Sequence, residues 1–132
     1  RVSNNARLEW TSKNSGFHGA VDVFSLVKAS DGVYYAGSEI GIYKTSDAGE
    51  NWALVGLNNI KVNDILVDIS DRNIIWAATQ NGLYRSTNSG ANWAYYSIDW
   101  LVNKDILTLE QIPGTSSFYI GTNGGNFYYF SP

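Results

Sequence analysis

Three aspartates recur at similar intervals along the chain: Asp22 in "AVDVFSL", Asp64 in "VNDILVD" and Asp105 in "NKDILTL". Two carboxylates that face each other can divide the work of glycoside hydrolysis, one as acid and the other as base or nucleophile. These three are the candidate channel carboxylates. A residue repeated once per structural unit usually serves the unit, so the plainer expectation is that each bonds backbone where a strand begins. His18 is the sole histidine, in "SGFHG". One imidazole in a Gly-flanked polar loop is expected to be solvated, and it cannot build a histidine-based metal site alone. "TNGG" (Thr122–Gly125) is expected to be a hairpin turn, not a phosphate cradle, because no helix pattern follows it. The chain has no cysteine, which excludes thiolate ligands, disulfides and a cysteine nucleophile. No metal and no cofactor is expected.

Composition limits the partners. The net charge is −3 and the basic residues are scattered singly, against the clustered basic surface that nucleic acid requires. No apolar run approaches the roughly 20 residues of a helical membrane span. Aromatics make up 14% of the chain, a load suited to pleated sheets that pack large rings. The 132 residues fit a single domain, 1–132. The start at Arg1 suggests a processed mature chain or an excised fragment.

The elements that would position these residues come from an internal repeat. "YKTSDAGENW" returns as "YRSTNSGANW", so Thr45, Asp47, Gly49 and Trp52 answer to Ser86, Asn88, Gly90 and Trp93, with the two tryptophans 41 residues apart. A worn copy, Ser3, Asn5, Arg7 and Trp10, opens the chain. The aspartates stack as Asp22, Asp64 and Asp105. Further columns stack Tyr35, Trp76 and Tyr119, then Gly41, Gly82 and Gly125. The units run over approximately 10–51, 52–92 and 93–132. Alternating apolar runs between turn signals predict four short strands per unit, as in Asp22–Ala29, Val33–Gly37, Ile42–Thr45 and Trp52–Val55. Four antiparallel strands per 40–45 residues is the pattern of a β-propeller blade, so the fold class is all-β with about three blades. In the repeated phrase, the Asp or Asn caps backbone donors and the Gly supplies a backbone angle that other residues resist.

The phrase resembles the BNR or Asp-box repeat found in sialidases, sortilin-type receptors, xyloglucan hydrolases and a photosystem II assembly-factor family. The match over Asp68–Trp93 covers a full unit with its connecting strands. The resemblance implies propeller blades whose Asp boxes are structural and lie away from the ligand face. It does not imply an activity, because these families share blades and differ in chemistry. Sialidases of this kind use three arginines and a tyrosine nucleophile. Here the arginines are Arg1, Arg7, Arg72 and Arg85, which do not cluster in sequence, and the Arg-Ile-Pro signature is missing. The chain is expected not to be an enzyme.

In a propeller, the loops between blades and the turns between second and third strands share one face. That face would carry Phe17, His18, Asn59, Asp99 and Trp100 from the first set, and Glu39, Gln80 and Asn123 from the second. Aromatic rings among polar groups make a floor for a sugar or peptide. For Trp100 the competing expectation is a cap over the core between two blades. The chain opens with a fourth strand (Arg7–Thr11) and closes with a third (Asn126–Phe130), so one blade is split between the termini. Three blades fall short of the usual 4–8 and would leave apolar flanks bare. The expected partners are therefore copies of the same chain, joined into an oligomer or filament, or the remaining blades of a longer chain. The functional expectation is a secreted, cell-surface or periplasmic propeller module that binds a glycan or protein, or assembles. The alternative is a fragment of a propeller glycoside hydrolase.

Overall fold

A computed structural model describes residues 12–17, 19, 21–101 and 104–132. The worn repeat at Ser3–Trp10, the expected strand Arg7–Thr11 and His18 lie outside the described residues. The described residues form eleven strands in three sheets, every pairing antiparallel, with no helix among them. The first sheet is β1 (Val23–Ser30), β2 (Val33–Ser38), β3 (Gly41–Thr45) and β4 (Ala53–Gly56). The second is β5 (Val62–Val67), β6 (Ile75–Thr79), β7 (Gly82–Ser86) and β8 (Ala94–Tyr96). The third is β9 (Ile106–Gln111), β10 (Phe118–Thr122) and β11 (Phe127–Phe130). Within each sheet the strands pair in chain order. This is the expected up-and-down blade, twice complete and once with three strands.

Each strand pair closes through a short turn, so pairing is local and the register follows from turn length. The second strands are the most buried: Ile75 to Thr79 are all inaccessible to solvent. A strand covered on both faces by neighbouring sheets needs an apolar residue at every position, which "IWAAT" nearly achieves. Two cores result. Tyr35 and Ile42 of the first sheet pack on Val62, Ile65, Ile75 and Ala77 of the second. Trp76 and Leu83 of the second sheet pack on Leu109, Phe118, Ile120 and Phe130 of the third. Full burial of one such aliphatic side chain is worth about 1.5–3 kcal/mol. The junctions between sheets therefore hold most of the apolar stabilisation.

The pairing register corrects one expected column. Ser25, Asp64 and Thr108 are the equivalent residues, because they pair with Gly37, Ala78 and Gly121. The residues equivalent to Asp22 and Asp105 are each other and Lys61, whose carbonyls accept the amides of Glu39 (3.0 Å), Asn123 (3.0 Å) and Gln80 (3.1 Å). Asp64 is thus out of step with the other two by three residues. The slip was invisible in sequence because an Asp followed by two apolar residues occurs in all three segments. Connections of unequal length absorb it. A bulge interrupts the pairing at the start of the first two of these strands as well. Gly125 is corrected too. Gly41 and Gly82 pair with Ser38 and Thr79, but Thr122 bonds Asn126, so the third turn is one residue longer and Gly125 lies inside it.

Candidate functional site

The repeated phrases form two closely similar turns. Thr45 Oγ1 donates to Asp47 Oδ1 (2.7 Å) and accepts the amide of Gly49 (3.0 Å). Asp47 in turn accepts the backbone amide (2.9 Å) and side-chain amide (3.0 Å) of Asn51. In the second turn Ser86 Oγ donates to Asn88 Oδ1 (3.0 Å) and accepts the Gly90 amide (2.8 Å), while Asn88 Oδ1 accepts the Asn92 amide (2.9 Å). An amide oxygen replaces a carboxylate oxygen without loss of the bond. The hydrogen bonds from the side chain and backbone of Asn51, and then from Thr45, hold the Asp47 carboxyl down at about 2. Ala48 and Ser89 adopt φ of 59° and 60°, and their amides donate to Gly32 and Asn73 in the turns after β1 and β5. The Trp52 and Trp93 indoles donate to Lys13 O (3.0 Å) and Gly90 O (3.1 Å). Every polar group of the phrase is spent on local backbone. In the third unit Phe130 takes the slot of Thr45 and Ser86, because it pairs with Phe118 as they pair with Tyr34 and Ile75. Its ring joins the core instead.

The opposite end of the sheets carries the proposed ligand-face residues. Glu39, Gln80 and Asn123 occupy equivalent turn positions and are exposed. Glu39 also accepts the Asp22 amide (3.2 Å), and Asn123 donates to Asp105 Oδ2 (3.0 Å). Asn59 donates its amide to Ile40 O (2.9 Å), which ties the loop after β4 to the turn after β2. Asp99 is exposed and accepts Ser97 Oγ (3.2 Å). Phe17 and Trp100 make the same contact in successive places, since Phe17 packs on Tyr43 (4.4 Å between ring centres) and Trp100 on Tyr128 (5.0 Å). Phe17 also touches Trp52 (5.4 Å) and is half-buried, so most of its ring is used in packing. Trp100 keeps 49% of its surface exposed. It both leans on the third sheet and faces solvent. Sequence reasoning missed Phe24, which is exposed with Lys61 Nζ 4.9 Å from its ring centre. A cation over an aromatic face needs both neighbouring sheets in place, and no sequence spacing foretells it.

The carboxylates differ sharply. Asp64 Oδ1 accepts Ser25 Oγ (3.1 Å) and the Ile65 amide (2.9 Å). Asp64 Oδ2 accepts the Leu109 amide (2.8 Å) and Thr108 Oγ1 (3.3 Å). One carboxylate thus ties the first strands of all three sheets. Asp105 accepts the side-chain amides of Asn63 (3.1 Å) and Asn123. Among the described residues, no three His, Cys, Asp or Glu groups converge as a metal site. Arg72 donates to Ala29 O (2.7 Å), and Arg85 lies over the Trp76 and Tyr96 rings at 5.3 and 5.1 Å, so both described arginines have structural partners. Asp68 was not singled out in sequence. It is buried, which raises its pKa, yet bonds from Ser70 and Asp71 outweigh burial and lower it overall. It caps the turn between β5 and β6.

No family model and no curated protein matches the chain. Solved structures do. An ancestral GH74 enzyme superposes with a TM-score of 0.72 at 17% identity over 87% of this chain and 18% of its own. PorZ, a bacterial surface component of the type-IX secretion system of Porphyromonas gingivalis, gives 0.67 at 26% identity over 83% of this chain and 17% of its own. YCF48 bound to a D1 peptide gives 0.63 at 17% identity over 83% and 38%. These are β-propeller proteins, so the all-β blade architecture of this chain is that of a propeller. The chain spans well under half the length of each of them.

Proposed function

We propose that this chain is a non-enzymatic, extracellular segment of an Asp-box propeller, a binding or assembly module that presents a glycan- or protein-binding face at the end of the sheets away from its Asp boxes. The carrying observation is the use of Asp64. The carboxylate nearest the junction of all three first strands has both oxygens occupied by donors of its own chain. A general acid or nucleophile needs an oxygen free for substrate, and a structural tether does not. The exposed ring of Trp100, the Phe24–Lys61 pair and the turn residues Glu39, Gln80 and Asn123 supply apolar floor and polar rim at one end. A surface location agrees with the printed role of PorZ, and a peptide ligand with the printed complex of YCF48. The alternative, a fragment of a glycoside hydrolase, draws on the GH74 likeness.

The test is a hydrolysis screen on β-glucans and sialosides beside a glycan and peptide binding screen. Binding that weakens in Trp100→Ala, with no turnover, is expected. Turnover abolished by Asp64→Asn or Asp105→Asn in a chain that remains folded would establish the hydrolase alternative instead.

A further inference from the structure

The two internal junctions follow one rule, and the two outer flanks repeat it without a partner. Each junction is made by an aromatic residue on a second strand and an apolar residue on a third strand, pressed against the first and second strands of the next sheet. Tyr35 and Ile42 do this at the first junction, and Trp76 and Leu83 at the second. Register makes Tyr119 and Phe127 the same two positions in the third sheet. Exposure of the third-strand residue is 0% for Ile42, 1% for Leu83 and 72% for Phe127; Tyr119 is 48% exposed where Tyr35 and Trp76 are buried. The receiving side behaves likewise. Ile65 and Leu109 are 3% and 5% exposed, and their equivalent in the first sheet, Leu26, is 61% exposed.

The receiving side also carries a prepared acceptor. At the first junction the Tyr35 hydroxyl donates to Ser89 O (2.7 Å) while its ring lies against Gly90, where an added Cβ would come within 3.0 Å of it. Ala48 and Gly49 present the same backbone on the first sheet, with φ of 59° and 91° against 60° and 86° for Ser89 and Gly90. Beside them runs a groove lined by Leu26, Tyr34, Gly49 and Trp52.

We propose that a second copy of this chain docks head to tail on that groove, with its Tyr119 ring against Gly49 and the Tyr119 hydroxyl donating to Ala48 O. Phe127 of the docking copy then covers Leu26 and Tyr34. The occupant is a copy of this chain because one chain carries both halves of the same junction, in the register its own sheets already use. The contact continues the internal interfaces instead of adding a new kind. It is heterologous, so it closes only if the rotation allows. Two copies bring six sheets together, within the usual range for a closed propeller. This rests on the assembly half of the proposed function, and it leaves the ligand face untouched.

The intact chain is expected at twice 14.6 kDa by light scattering. Phe127→Asp and Leu26→Asp alter exposed residues, so each variant should keep its circular dichroism and run as a monomer. Mixed together they should recover a heterodimer, because one sound junction remains between them. Tyr119→Phe, which removes only the hydroxyl, should weaken association about fivefold. A folded monomer of 14.6 kDa from the intact chain overturns the proposal. So does a dimer that survives Leu26→Asp. Glycan or peptide binding measured on the same samples reports on the ligand face separately, since neither flank residue lies on it.

Discussion

Asp64 is predicted to be worth far more to stability than Asp22, although the two occupy similar sequence contexts. In Asp64→Ala the amides of Ile65 and Leu109 lose their acceptor, and the hydroxyls of Ser25 and Thr108 lose theirs. An orphaned backbone donor costs about 1–3 kcal/mol when fully buried. Asp64 is half-buried, so water reaches part of the site and the low end applies to each amide. The hydroxyls can rotate to new partners and add little. The sum is about 2–3 kcal/mol. Asp22 is exposed and its bonds to Glu39 come from its backbone, so Asp22→Ala should stay within about 0.5 kcal/mol of the parent. Asp64→Asn keeps one acceptor oxygen and should fall between, at about 1–2 kcal/mol. The assay is urea unfolding followed by tryptophan fluorescence. With a slope of about 1.5 kcal/mol/M, Asp64→Ala lowers the midpoint by about 1.5–2 M. Equal midpoints for Asp64→Ala and Asp22→Ala would refute the reasoning and restore the three aspartates as equivalent.

The Asp47 turn should be acid-sensitive where the Asn88 turn is not. The folded pKa of about 2 lies below the ordinary 3.8, so the stabilisation is present above pH 3.8 and is lost as pH falls towards 2. Asp47→Asn should therefore flatten the dependence of the midpoint on pH across that window, and an unchanged slope would count against the hydrogen-bond account. Gly56→Ala would place a Cβ 2.4 Å from Trp93 Cδ1, and moving that ring should cost about 1–3 kcal/mol in the same unfolding assay. Tyr35→Phe loses the bond to Ser89 O, but Lys44 Nζ still donates there (3.0 Å), so the loss should be only about 1 kcal/mol. A larger loss would show that the hydroxyl holds the first junction by itself.

The repeat, the strands and the turn chemistry were legible in the sequence because they depend on neighbours a few residues away. Thr45 reaches Asp47 and Gly49, and Ser86 reaches Asn88 and Gly90, within a single turn. Spacing alone could therefore show that these residues serve the backbone, and alternation alone could place nearly every strand. The role of Asp64 was decided elsewhere. Its partners Ser25 and Leu109 lie 39 and 45 residues away, and which aspartate reaches them depends on a register set by bulges and unequal connections. A three-residue slip leaves the sequence pattern looking the same and changes the side chain's partners entirely. Burial was decided the same way. Ile42, Leu83 and Phe127 hold one position in three similar sheets, and only the presence or absence of a neighbouring sheet separates 0% from 72% exposure. Local bonding writes itself into short spacings. Contact between sheets depends on distances that the chain must fold to create.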